Sequence, residues 1–306
     1  MSRTIDPIVS TEWLEARLAG GCDQARVQGR EGDVAQGSAL SGELVVVDIR
    51  EPRFYKAGHI PSAISIPFAP VSDWAVATQD LHMELPEPEQ LFKVIGDPGI
   101  CAHSQVVVVT TVEQPPAPPY SLSDATRVAA TLIYAGVSSV AVLDGGHPKW
   151  EREGRRVTTE VPATVPVPYA AAVRRDMFVP TEYVEAQVGR ATLVDGRVPD
   201  QYFGVTVDPF AGKAGHIPTA RCLPASWIWR EDGTYRTGEE LERIAVGVIG
   251  EDREQEIIAY CGVGGYASAW WFVLTEILGY KNVKIYDGAM EAWAKEKVIA
   301  CYRWEG

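Results

Sequence analysis

Ile257-Ile258-Ala259-Tyr260-Cys261-Gly262-Val263-Gly264-Gly265-Tyr266-Ala267-Ser268, continued by residues 269–279, is the stretch that decides how this chain is read. Residues 257–260 form a short apolar run behind charged residues, the pattern of a parallel strand covered on both faces. Residues 267–278 lack Gly and Pro and predict a helix, with Gly279 as its C′ residue. Between strand and helix, one thiol is followed by three glycines within four positions. Glycines let the backbone curl until several N–H groups face one point, and a helix N-terminus adds unpaired donors and partial positive charge. A cysteine at that focus is expected to have a lowered pKa, to act as a nucleophile and to hold anything anionic attached to its sulfur. The competing reading is a small buried hydrophobe; the strand-to-helix position favours the reactive one.

The surroundings of this stretch occur twice. Val45-Val46-Val47-Asp48-Ile49-Arg50 is matched by Thr192-Leu193-Val194-Asp195-Gly196-Arg197, and Gly58-His59-Ile60-Pro61-Ser62-Ala63 by Gly215-His216-Ile217-Pro218-Thr219-Ala220. The strand at 106–110 mirrors the one at 257–260, and Leu143-Asp144-Gly145-Gly146 before Trp150 mirrors Ile285-Tyr286-Asp287-Gly288 before Trp293. A capped helix is expected at 8–18, with Ser10 as cap, and is echoed at 181–188. Residues 22–42 read as a loop or insertion, and a second capped helix is expected after Ser123. Matches in the same order indicate tandem duplication, and alternating strands and helices predict an α/β fold with a mostly parallel central sheet in each half. Residues 158–172, rich in Pro, Ala and Val, read as an extended linker, which divides the chain into 1–157, the linker, and 173–306.

Composition bounds the function. The 306 residues suit two domains, and 46% apolar with 23% charged residues is ordinary for a globular chain. A net charge of −13 argues against general nucleic-acid or anionic-membrane binding. No apolar run reaches the roughly 18 residues of a membrane span, and the start lacks a signal-peptide core, so a cytoplasmic location is expected. Five scattered cysteines with no CxxC pair disfavour a disulfide framework and a cysteine-based zinc site, and the histidines show no metal-ligand spacing.

With the Asp-x-Arg strand ends, both Gly-His-Ile-Pro-x-Ala segments, the Cys loop and the Asp-Gly turns before Trp in view, the chain resembles the two-domain rhodanese family of sulfurtransferases over nearly its whole length. The resemblance implies that Cys261 takes a sulfane sulfur from a small-molecule donor, thiosulfate or 3-mercaptopyruvate, and passes the persulfide sulfur to a thiol or cyanide, with no cofactor or metal. It implies a substrate-holding loop of Gly262, Val263, Gly264, Gly265 and Tyr266, with the N–H of Ala267, and makes Arg197 either a substrate contact or a structural ion pair. The chain departs from the family pattern in three ways. Val263, Gly265 and Tyr266 replace the Ser, Val and Thr usual in mercaptopyruvate-type loops. Gln201 stands where many members have a second arginine. The first half has Thr110 or Thr111 in place of the cysteine, followed by a proline-rich loop about eight residues longer, a poor source of N–H donors. The first half is therefore expected to be non-catalytic. His59, His216, Asp48 and Asp195 are expected to brace turns, and Trp227, Trp229, Trp270 and Trp271 to pack the interior. A Cys-dependent phosphatase would need an arginine where Ala267 stands. A non-enzymatic sulfur-carrier or binding module remains the alternative.

Overall fold

The computed structural model describes residues 3–21, 42–69, 72–78 and 80–304, so all of the segment read as a loop at 22–42 except Gly42 lies outside the described residues. The first half runs β1 (Ile8–Val9), α1 (Thr11–Gly21), β2 (Leu44–Asp48), α2 (Pro52–Ala57), β3 (Ile64–Ser65), α3 (Pro88–Gly96), β4 (Gln105–Val109), α4 (Tyr120–Tyr134), β5 (Ser139–Leu143) and α5 (Gly146–Arg152). The second repeats the series: β6 (Phe178–Val179), α6 (Thr181–Gln187), β7 (Thr192–Asp195), α7 (Pro199–Phe203), β8 (Arg221–Cys222), α8 (Gly238–Ile249), β9 (Glu256–Tyr260), α9 (Gly265–Phe272), β10 (Asn282–Tyr286) and α10 (Ala289–Glu296). The sheets have the orders β1-β5-β4-β2-β3 and β6-β10-β9-β7-β8, with every pairing parallel. The expected α/β duplication is the architecture found.

The continuous apolar runs explain the central strands. Val106 to Val109 in β4 and Ile257, Ile258 and Tyr260 in β9 are fully buried, as strands covered by helices on both faces must be. In the second sheet β7 leads outward to β8 while β9 leads the other way to β10. The C-terminal ends of β7 and β9 therefore form the topological switch point, where open α/β sheets bind ligands. Arg197 follows one of these ends and Cys261 the other. No helix among the described residues is long and apolar enough to cross a membrane.

Some local expectations shift. Ile8 and Val9 pair with β5 as a strand instead of opening the helix, which begins at Thr11 with Ser10 Oγ accepting the Trp13 N–H at 3.1 Å. Ser123 does not cap α4: the helix starts at Tyr120, and Glu113 Oε1 caps it from outside by accepting from Ser121 N at 2.7 Å and Ser121 Oγ at 2.6 Å. The helix after Cys261 begins at Gly265 and turns into a π-helical segment, Val273–Ile277, before Gly279 at φ +75. Trp229, Trp270 and Trp271 are buried, but Trp227 is 42% exposed, at the outer end of a short 3-10 turn, Ala225–Trp227, whose first residue is buried.

Residues 159–174 have neither helix nor strand and lie along the first half, where Val167 N donates to Gly96 O at 2.9 Å and Tyr169 OH to Ala135 O at 2.8 Å. The halves join by α4 packed on α9. Fully buried Arg127 of α4 donates across that seam to Asp287 Oδ1 at 3.0 Å, with its guanidinium over the Phe178 ring, and within the first half to Met83 O at 3.3 Å. A first-half segment also crosses over: Leu85 N donates to Asp287 Oδ2 at 2.8 Å, His82 N to Glu291 Oε2 at 2.9 Å, and the His82 ring bonds Glu291 Oε1.

Candidate active site

Cys261 stands just past the end of β9, 2% exposed. Its backbone carbonyl accepts from Met290 N at 2.9 Å, and that of Gly262 from Glu291 N at 3.1 Å, so the first turn of α10 holds the loop in place. The sulfur accepts the Gly264 N–H at 3.0 Å, and the N–H groups of Ala267 and Val263 also favour the thiolate. Three of the N–H groups expected from the glycine pattern thus act on the sulfur. The expected lowering of the pKa does not result. Burial pushes the thiol up, Asp195 adds to the rise, and the three donors offset only part of it.

The glycines have separate causes. Gly264 has φ +114, a left-handed conformation at the N-cap of α9. A Cβ on Gly265 would come within 3.2 Å of Ser123 Oγ, because α4 approaches closely there. A Cβ on Gly262 would come within 2.7 Å of Asp208 Oδ2, so a carboxylate occupies the space a side chain would need. Val263 completes the loop between these constrained positions.

Arg197 is 1% exposed and largely committed. Its Nε donates to Asp195 Oδ1 at 3.0 Å and its Nη2 to Asp195 Oδ2 at 2.6 Å and to Gly215 O at 2.7 Å. Arg50 makes the same bonds in the half that has Thr110 at the position of Cys261: Nε to Asp48 Oδ1 at 3.0 Å and Nη2 to Asp48 Oδ2 at 2.7 Å and Gly58 O at 2.8 Å. The same bond set in the half without a thiol at that position favours, of the two expected roles of Arg197, the structural ion pair, which takes up its Nε and Nη2. Its Nη1, without a hydrogen-bond partner, faces Asp208 Oδ2 at 3.8 Å. The histidines act as expected. His59 stacks on Tyr55 and His216 on Tyr202, each at 3.8 Å, and each Nδ1 bonds the carbonyl of the tyrosine beneath it.

Tyr266 stacks on Tyr120 of the first half, with ring centroids 5.9 Å apart and an interplanar angle of 9°. Burial first, then the neighbouring Tyr120, Cys261, Glu113 and Asp124, pushes its hydroxyl pKa up. Asp124 is itself pushed up to about 8 by burial and by Glu113. The counterpart of Cys261 is Thr110, not Thr111: Thr110 O accepts from His147 N at 2.8 Å just as Cys261 O accepts from Met290 N. From Thr110 to Gly136 (φ +99) the chain is eight residues longer than from Cys261 to Gly279, as expected.

Asp208, Arg127, Tyr120 and Asp124 are site neighbours that the sequence reading did not single out. Only Asp208 had a visible signal. Arg197 and Gly215 are 18 positions apart whereas Arg50 and Gly58 are 8 apart, so the second half carries an excess segment, and Asp208 lies in it.

Comparison with known proteins places this geometry in a family. The rhodanese-like domain model matches residues 34–153 and again 180–296. A Saccharopolyspora erythraea protein named "Putative thiosulfate sulfurtransferase" is 35% identical over 252 residues, covering 77% of this chain and 81% of that protein. A Mycobacterium leprae protein of the same name is 32% identical over 269 residues, 84% and 91% of the two chains. The Thermus thermophilus "Sulfur carrier protein TtuD" is 37% identical over 174 residues, 52% of this chain and 60% of that one. Among solved structures, EanB in complex with hercynine superposes with a TM-score of 0.77 at 23% identity, over 96% of this chain and 69% of that one, and YnjE with 0.76 at 23%, over 98% and 69%. These two likenesses speak to the fold. Two family matches and relatives above 30% identity over most of both chains establish that this protein belongs to the rhodanese family of sulfurtransferases, as a tandem of two rhodanese-like domains.

Proposed function

We propose that the second domain transfers sulfane sulfur through a persulfide on Cys261, with the first domain walling the cleft. The observation that carries this reading is the Gly264 N–H directed at Cys261 Sγ at 3.0 Å, at the joint between β9 and α9. Thiolate Sγ attacks the outer sulfur of the donor. From thiosulfate, the S–S bond breaks and sulfite leaves with the electron pair. From 3-mercaptopyruvate, the C–S bond breaks and the pair goes to carbon, which takes a proton to give pyruvate. Cyanide or a thiolate then attacks the outer persulfide sulfur, and Cys261 leaves as thiolate. Donors facing the sulfur stabilise the anionic forms of thiol and persulfide along this cycle. Gly262, Gly264, Gly265 and Ala267 shape that cradle, Val263 and Tyr266 line it, and Arg197, braced on Asp195, supports it from below.

Between the donors, 3-mercaptopyruvate is preferred. No basic residue occurs from Gly262 to Ala269, and Gln201 stands in place of an arginine, so a compact dianion lacks fixed positive partners. Steady-state rates with each donor and cyanide test the order, and a higher kcat/KM for thiosulfate would reverse it. Mass spectrometry after exposure to each donor tests the chemistry: a gain of one sulfur atom on Cys261 is expected, and its absence with both donors would overturn the reading. Resemblance to a sulfur carrier favours a second reading, in which the persulfide is retained until a protein acceptor arrives; loaded protein that does not discharge to cyanide or small thiols would select it.

A further inference from the structure

The excess segment between α7 and Gly215 brings Asp208 against the Cys261 loop, where it is 4% exposed. Its Oδ1 accepts from Phe210 N at 2.9 Å and Ala211 N at 3.2 Å, which holds the carboxylate in one orientation. Its Oδ2 stands 2.7 Å from the place a Cβ on Gly262 would occupy, and 3.8 Å from Arg197 Nη1. Arg197 is already paired with fully buried Asp195. Two carboxylates therefore share one guanidinium in the interior, one residue from Cys261, and the cluster carries a net negative charge. The other neighbours do not reverse it. Arg127 Nη1 lies 3.2 Å from the place of a Cβ on Gly264, but Arg127 is matched by Asp287 at 3.0 Å. Glu113 and Asp124, near Tyr266, bring no positive charge. In the first half Arg50 is paired with Asp48 without the added segment, so the excess negative charge is particular to the catalytic half.

We propose that Asp208 is a specificity-determining residue that sets the Cys261 site against dianionic sulfur donors and toward donors of low net charge. This rests on the persulfide reading and narrows its substrate class. Thiosulfate approaches with two negative charges and releases sulfite with two, so the carboxylate opposes both arrival and departure. A monoanionic donor meets about half of that opposition and a neutral one almost none. Among buried groups a few ångströms apart, each unit of charge is worth at least about tenfold in rate.

Asp208→Asn keeps the Oδ1 acceptor for Phe210 and Ala211 and removes the charge. The variant is expected to raise kcat/KM for thiosulfate about a hundredfold and for 3-mercaptopyruvate about tenfold. A second measurement does not depend on turnover: the rate of Cys261 alkylation by anionic iodoacetate relative to neutral iodoacetamide, read by mass spectrometry on the intact protein. This ratio is expected to rise about tenfold in Asp208→Asn. In the unaltered protein it is expected to lie at least about tenfold below the ratio at Cys101, a partly exposed thiol subject to the same overall charge. Equal ratios at Cys261 and Cys101, or a ratio unmoved in folded Asp208→Asn, would overturn the role of Asp208. Absence of Cys261-dependent turnover with both donors would instead overturn the persulfide reading, and the alkylation ratios would still decide on Asp208.

Discussion

The two halves share a scaffold almost bond for bond and differ in which loop is lengthened. Asp48–Arg50 and Asp195–Arg197, the Tyr55–His59 and Tyr202–His216 stacks, and the carbonyls of Thr110 and Cys261 all have matching partners. The first half spends its extra residues after β4, in a loop holding Pro115, Pro116, Pro118 and Pro119. The second half keeps that loop short around Cys261 and spends its extra residues after α7, where they carry Asp208 to the site. A parallel α/β sheet tolerates insertions at the C-terminal ends of its strands because its core lies elsewhere. Duplication therefore preserved the scaffold while the loops at the C-terminal ends of the strands diverged in length and in the side chains they bring together.

The sharpest way to break this comparison is to exchange the decisive side chains. Cys261→Ser is expected to lower sulfur transfer by at least about a thousandfold with little change in melting temperature, a loss typical of a covalent nucleophile. Adding Thr110→Cys should restore nothing, since four prolines leave that loop short of donors; recovered turnover to cyanide would show the first half to be a competent site.

Next in size are the paired arginines. Arg50→Leu and Arg197→Leu each strand a fully buried aspartate and are expected to cost about 3–5 kcal/mol in denaturant unfolding. A much smaller loss for Arg197→Leu would mean that Arg197 is held less firmly by Asp195 than Arg50 is by Asp48, and would reopen a direct role with substrate. Gly264→Ala forces a left-handed residue against Arg127 and should cost about 1–3 kcal/mol, with sulfur transfer falling about tenfold. Unchanged activity would show that the Gly264 N–H reaches the sulfur without the backbone freedom of glycine.

Smaller effects should appear in pH profiles. The raised pKa of Cys261 predicts alkylation by iodoacetamide that keeps accelerating beyond the ordinary thiol value of about 8.5. Cys222, which burial first and then Asp195 push up to about 12, should lag further. A thiol held protonated by the fold contributes stability below its unfolded pKa and loses it as pH rises toward the folded value. A Cys261 profile titrating below 8 would mean that the donors outweigh burial. The smallest change is expected at Asp124. Raised to about 8 from the ordinary 3.8, it stabilises the fold at low pH and ceases to do so as pH climbs through that range. Asp124→Asn should raise the melting temperature by a few degrees at pH 8.5 and leave it unchanged at pH 4, a pattern a mere change of packing would not produce.

Repeats, strand and helix order, and the Cys261 loop were legible because each is local. Val106-Val107-Val108-Val109 and Ile257-Ile258-Ala259-Tyr260 show their burial in composition, and a duplicated motif shows itself by position. The Ser123 cap was misplaced because Glu113, outside the helix, supplies the acceptor. The π-helical turn after Phe272 has no sequence signature of its own.

What the sequence by itself determined is the tandem α/β scaffold, the family and the identity of the one thiol set between strand and helix. Only the tertiary structure decided what surrounds that thiol. Burial overcame the donors that a glycine loop predicts. Arg197 was spent on Asp195 as Arg50 is on Asp48, and the glycines answered to Asp208, Arg127 and Ser123, which lie far from them in the chain. The physical reason is one of range: backbone preference is written in neighbouring residues, whereas desolvation and charge pairing depend on which distant groups the fold brings within a few ångströms.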